Sequence, residues 1–110
     1  MAGKYVLKNS KAGKFSFMLV DDNDQILMTS ETYESRAAAL NGIESCKKNG
    51  IEENRFERKL STANDPYFVL KAANGQTIGK SQMYSSAAAM ENEIALVKAN
   101  AASAIEDNTH

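Results

Sequence analysis

Displaced by 51 positions, the chain overlies itself without a gap. Residues 5–50, YVLKNSKAGKFSFMLVDDNDQILMTSETYESRAAALNGIESCKKNG, align with residues 56–101, FERKLSTANDPYFVLKAANGQTIGKSQMYSSAAAMENEIALVKANA, and 16 of the 46 pairs are identical. A period of this length marks one supersecondary unit present twice, and such units bury their apolar faces against each other. The 110 residues are therefore read as a single domain, with repeat one at about 5–50, repeat two at about 56–101, and 102–110 as a short strand or loose tail.

Each copy acts as a control on the other. In the first, Phe15, Phe17 and Leu19 alternate onto one face and Leu27 follows after a turn; in the second, Phe68, Leu70 and Ile78 keep that character. The opposite parity diverges, with Met18, Val20, Ile26 and Met28 answered by Val69, Lys71, Thr77 and Gly79. The first parity is thus expected to face the core. A preceding strand keeps its aromatic as Tyr5 and Phe56. Ser35 and Ser86 stand where a hydroxyl caps the free amides of a helix. The alanine-rich runs after them carry an apolar stripe of Ala39, Ile43 and Cys46, repeated as Met90, Ile94 and Val97. Three strands and a helix per copy predict an α+β fold in which two helices cover one face of an antiparallel sheet.

Charge and composition remove several functional classes. The net charge is -1, with seven basic and six acidic residues up to Ile51 and six and eight beyond it. Neither half makes the basic footprint that phosphate neutralisation requires, so a nucleic acid partner is not expected. No apolar run approaches the length of a signal peptide or a membrane span, which predicts a cytoplasmic protein away from the membrane. The single cysteine, Cys46, fits a reducing compartment.

Chemical motifs are sparse. The one histidine is His110, the last residue, and no Ser/His or Cys/His pairing is available for nucleophilic catalysis. Zinc ligands and a glycine-rich phosphate loop are lacking, so no cofactor is expected. The acidic stretch DDNDQ has the oxygen-rich look of a calcium loop. Such a loop also needs a glycine at its sharp bend and a bidentate Glu at its twelfth position, and counting from Asp22 those places hold Leu27 and Tyr33. Its repeat partner is AANGQ, where Asn74 and Gly75 announce a tight hairpin. Both stretches are read as turns, with no metal site.

The tandem order of strand, hairpin at NDQ or NGQ, S-x-x-Y-x-S, alanine-rich helix and N-G-I-E-S resembles the YegP family of small bacterial proteins in its duplicated form. The resemblance covers nearly the whole chain. It implies two β3-α-β units in one continuous antiparallel sheet, with C-terminal strands exchanged between repeats. Single-repeat relatives build this as homodimers, so the chain would be a monomer and its own pseudo-dimer. Asn74 and Gly75 match the family's hairpin, Ser30 and Ser81 the end of the third strand, Tyr33 and Tyr84 the helix start, and Asn41, Gly42 and Ile43 the helix motif. Asp24 departs at the turn glycine of repeat one, Glu93 at the helix glycine of repeat two, and Cys46 stands where repeat two has Val97. The resemblance supplies a fold and no activity.

Among the polar positions kept in both copies are three pairs near the helix starts: Ser30 and Ser81, Tyr33 and Tyr84, Asn41 and Asn92. They are read as structural, the amide bonding a neighbouring loop and the tyrosine plugging the strand-to-helix junction. With both helices on one face, Met18, Val20, Ile26, Met28, Tyr67 and Val69 are expected to point away from them. An apolar patch of that kind marks interaction sites. The expected function is a non-enzymatic binding module for a protein or peptide. The alternative is a small-ligand protein or enzyme using a pseudo-symmetric groove near Tyr33 and Tyr84.

Overall fold

The computed structural model describes residues 3–109, so His110 lies outside the described residues. In chain order the elements are β1 Lys4–Asn9, β2 Phe15–Val20, β3 Ile26–Thr29, α1 Arg36–Asn49, β4 Phe56–Leu60, β5 Pro66–Lys71, β6 Thr77–Lys80, α2 Ala87–Asn100 and β7 Ala104–Asn108. The strands form one sheet in the order β4-β5-β6-β3-β2-β1-β7. Each repeat contributes a three-stranded meander, and the two join where Thr29 of β3 pairs with Lys80 of β6. Those residues are 51 apart, so an approximate two-fold axis passes between them. None of the helices among the described residues is long and apolar enough to cross a membrane.

Six strands run antiparallel and the seventh does not. β7 lies parallel beside β1, Tyr5 opposite Ile105, and the chain reaches it from β6 by way of α2. The strand after the second helix thus crosses to the first repeat. The segment after the first helix takes a 3-10 turn at Glu53–Arg55 directly into β4. Strand exchange therefore occurs once, and β4 is left as an edge.

The helix starts form as their sequence predicts. Ser35 Oγ accepts from the Ala38 amide at 3.0 Å and Ser86 Oγ from the Ala89 amide at 3.1 Å, each satisfying one of the orphan donors of the first turn. Both helices pack on the same face, α1 reaching across to β6 of the other repeat and α2 to β3. The core between sheet and helices contains Tyr5, Phe17, Leu19, Phe68 and Leu70 together with Ile43, Cys46, Ile94 and Val97.

One parity assignment is corrected by a β-bulge. Leu19 pairs with Met28 but Val20 pairs with Ile26, leaving Leu27 as the extra residue. An extra residue resets the alternation of side chains. Both Leu27 and Met28 therefore face the helices, and Met28 is 1% exposed within the core rather than on the open face. Repeat two has the same irregularity, with Leu70 opposite Gly79. A Cβ on Gly79 would lie 2.7 Å from Met28 Sδ. The large residue of one repeat thus fills the space left by the small residue of the other.

Candidate functional site

The helix-free face of the sheet carries five of the six residues assigned to it. Cross-strand pairing builds the row Val6, Met18, Thr29, Lys80 and Val69, beside a second row of Lys4, Val20 and Ile26. This face is less open than the sequence suggests. Val20 and Val69 are 2% and 6% exposed, Met18 and Tyr67 half-buried, and Ile26 alone among the five is freely exposed, at 45%. Long lysine arms lie along the face, as such side chains do over apolar surface. Lys80 Nζ stands 5.3 Å from the centre of the Tyr67 ring, and Lys71 pairs with Glu57. Lys4 Nζ reaches Glu106 of β7 at 3.0 Å. The result is a narrow apolar stripe framed by cations.

The retained polar residues divide into two groups. Ser30 Oγ accepts from the Phe17 amide at 2.9 Å and donates to the Glu31 carbonyl at 2.7 Å; Ser81 does the same with Phe68 and Gln82 at 3.0 and 2.8 Å. These serines close backbone groups left open where β3 and β6 leave their neighbours. Tyr33 is held by a reciprocal bridge to Phe15, at 2.7 and 2.8 Å. Tyr84 has only its amide bond to the Pro66 carbonyl, 2.8 Å, because proline has no N–H to return. Asn41 and Asn92 do not bond a loop as expected. Both are exposed on their helices, and neither side chain makes a hydrogen bond among the described residues.

Asn41 instead stands at the rim of a cavity of about 340 Å³. The walls are Tyr33 and the α1 residues Ala38, Gly42 and Ser45 on one side, and Ala72 with the hairpin residues Asn74, Gln76 and Thr77 on the other. The site therefore lies between the helix of one repeat and the hairpin of the other. Tyr33 stacks on Phe17 with ring centres 6.0 Å apart and planes 13° apart. Its hydroxyl comes so close to α1 that a Cβ at position 42 would lie 2.5 Å away. Burial, chiefly, raises the pKa of the Tyr33 hydroxyl, so it stands as a neutral hydrogen-bonding group.

Repeat two closes the equivalent space. Glu93 replaces the glycine and is 9% exposed, with its Oε2 buried and unpartnered among the described residues. Burial first, then the nearby Asp21 carboxylate, raises its pKa. The Tyr84 hydroxyl is pushed up to about 12, by burial and then by Glu93. Asp21 and Tyr84 correspond to Ala72 and Tyr33, so the Glu93 carboxyl sits where repeat one has its cavity. Glu93 reads in sequence as an ordinary surface acid of a helix. Its identity as the partner of Gly42 was the available signal.

Other candidates resolve into structure. Asp21 Oδ1 accepts from the amides of Asn23 and Gln25 at 2.8 and 3.0 Å, and Asn74 Oδ1 accepts from Gln76 at 3.0 Å in the other hairpin. Asp24 takes the left-handed φ of 61° that its counterpart Gly75 adopts at 86°, a conformation open to Asp. The acidic stretch is thus occupied in making its turn, and no group of three metal-ligating side chains converges among the described residues. Cys46 is buried, and that burial pushes its thiol up to about 12. Asn49 and Asn100, another retained pair, are buried at the helix ends and bond the Ser45 and Leu96 carbonyls.

Comparison with known proteins agrees with this architecture. A family model described as a domain of unknown function, DUF1508, matches twice, over residues 10–57 and 61–106. The UPF0339 protein PM0519 of Pasteurella multocida is 50% identical over 103 residues, covering 94% of this chain and 90% of that protein. UPF0339 protein YegP of Escherichia coli strain K12 is 44% identical over 99% of this chain and 100% of its own length. The solution NMR structure of UPF0339 protein SO3888 from Shewanella oneidensis superposes with a TM-score of 0.93 at 44% identity, over 99% of this chain and 93% of that one. That of YegP from E. coli, described as a protein of unknown function, gives the same TM-score and identity over 99% and 95%. With both repeats matched and full-length relatives on either side, the chain belongs to the YegP-like UPF0339 family, whose unit is the DUF1508 domain.

Proposed function

We propose that this protein is a non-enzymatic binding module of the cytoplasm, a monomer whose two repeats take the place of two subunits. It engages a protein or peptide through the helix-free face of its sheet. The observation that carries this reading is the one-sided packing: both helices cover the same face, leaving Met18, Ile26 and Tyr67 on the other within a frame of lysines. The chemistry of that surface selects a partner with an apolar centre and carboxylates at its rim, where charge sets orientation and association rate. The pseudo-dimer reading is supported by the Met28 and Gly79 fit across the approximate two-fold, and the cytoplasmic one by a free buried cysteine. The test is affinity capture from a bacterial lysate with the intact protein and with a Met18→Asp, Ile26→Asp variant. Partners held by the first are expected to be lost from the second at an unchanged melting temperature. Retention of the same partners by the variant overturns the proposal.

A further inference from the structure

The cavity over Gly42 is independent of the sheet face, and repeat two supplies its control. One space has been built twice. In repeat two Glu93 fills it, facing Asp21 and Tyr84; in repeat one Gly42 and Ala72 replace both acids, and about 340 Å³ remains. The opening is large enough for a small molecule. We propose that it binds an uncharged, polyhydroxylated small molecule, with the chemistry of a neutral sugar, between α1 and the β5–β6 hairpin.

The lining sets that class. Asn41 offers an amide that is both donor and acceptor, Asn74 and Gln76 offer what their bonds within the hairpin leave of theirs, and Ser45, Thr77 and Tyr33 offer hydroxyls. Such groups match a ligand whose every polar edge is a hydroxyl. No lysine or arginine lines the cavity, and its one charged residue is Glu31, so a phosphate or carboxylate ligand would meet a like charge and no cation. Ala38, Ala72 and Ile78 provide apolar contact for the C–H faces of a sugar ring. Asn41 has no partner within the described protein and is free to bond a ligand. Asn92, its counterpart, stands on the plugged side.

The test uses the isotope-labelled intact protein, titrated with D-glucose and N-acetyl-D-glucosamine and with the methyl glycoside of each. Ligand is taken to about 20 mM, enough to reveal a millimolar Kd. The free sugars stand for a metabolite and the glycosides for a residue within a glycan, so tighter binding of one pair identifies the source. Amide shifts are expected at Tyr33, Asn41, Gly42, Asn74 and Thr77, and none at Tyr84, Asn92 or Glu93. Asn41→Ala is expected to weaken binding at least tenfold at an unchanged melting temperature. Asn74→Asp, which keeps the oxygen that accepts from the Gln76 amide and removes the side-chain donor, provides the same reading should the helix variant be destabilised. Glu93→Gly is expected to add a second set of shifts around Tyr84 by unplugging the other space. Absence of shifts with all four sugars overturns the proposal, as do shifts on the sheet face or affinities unchanged in both asparagine variants. Because Met18 and Ile26 lie on the opposite face, failure here and failure of the sheet-face reading are separate outcomes.

Discussion

At the scale of the residue, some differences between the two repeats lie where a side chain of one copy meets the other copy. Glu93 is the clearest case. Burial and the Asp21 carboxylate raise its folded pKa above the ordinary value, so its protonated form is favoured by the fold. The stability linked to it is fully present below the unfolded pKa, about 4, and is lost as pH rises through the raised folded value. Glu93→Gln, which keeps the shape without the charge, is expected to raise the melting temperature at pH 7. Its advantage should vanish below about pH 4, and an equal effect at both pH values in a thermal melt would contradict the assignment. Met28 and Gly79 form a complementary pair of the opposite sort. Met28→Ala is expected to cost about 3 kcal/mol in denaturant unfolding, the usual loss for emptying a packed methionine site. Gly79→Ala collides with the Met28 sulfur in the intact protein but has room in the Met28→Ala background. The double variant should therefore be less destabilised than the two single losses predict, by about 1 kcal/mol.

At the scale of the element, what could be read locally is what local interactions decide. The serine caps, the alanine-rich helices and the core parity of β2 and β5 all follow from spacing within a few residues. Ser35→Ala and Ser86→Ala are each expected to cost about 1 kcal/mol. β3 was misread at Met28 because its alternation is reset by a bulge, and a bulge belongs to the pairing of two strands. β7 is held from both sides of the sheet. Lys4 pairs with Glu106 on the open face, and Arg36 with Asp107 on the helix face, where the ion pair lowers the Asp107 pKa to about 2. Its low pKa makes that contribution available above the ordinary aspartate value and lost as pH falls toward about 2. Removing residues 104–109 uncovers the β1 edge, and an uncovered edge is a template for another chain. The truncated protein is expected to self-associate in sedimentation while the intact one does not.

At the scale of the whole molecule, the repeats are joined by more than adjacency. Each helix reaches over a strand of the other repeat, β7 crosses to β1, and Tyr5 Oη donates to the Ala101 carbonyl at 2.7 Å across almost the full chain. Neither half encloses its own core. Thermal unfolding is therefore expected as a single transition, with Ile43→Ala and Ile94→Ala lowering the same midpoint despite lying in different repeats. Two resolved transitions in calorimetry would show the repeats to be independent. The sequence by itself determined the duplication, the order of strands and helices, the caps and the α+β layering, because periodicity and capping act over a few residues and the offset of 51 is visible without coordinates. Only the tertiary structure decided which apolar residues the sheet leaves open, that strand exchange happens once, and that Glu93 plugs one groove while Gly42 leaves the other empty. Those outcomes depend on which side chains meet across the approximate two-fold, and residues brought together from opposite repeats leave no periodic trace along the chain.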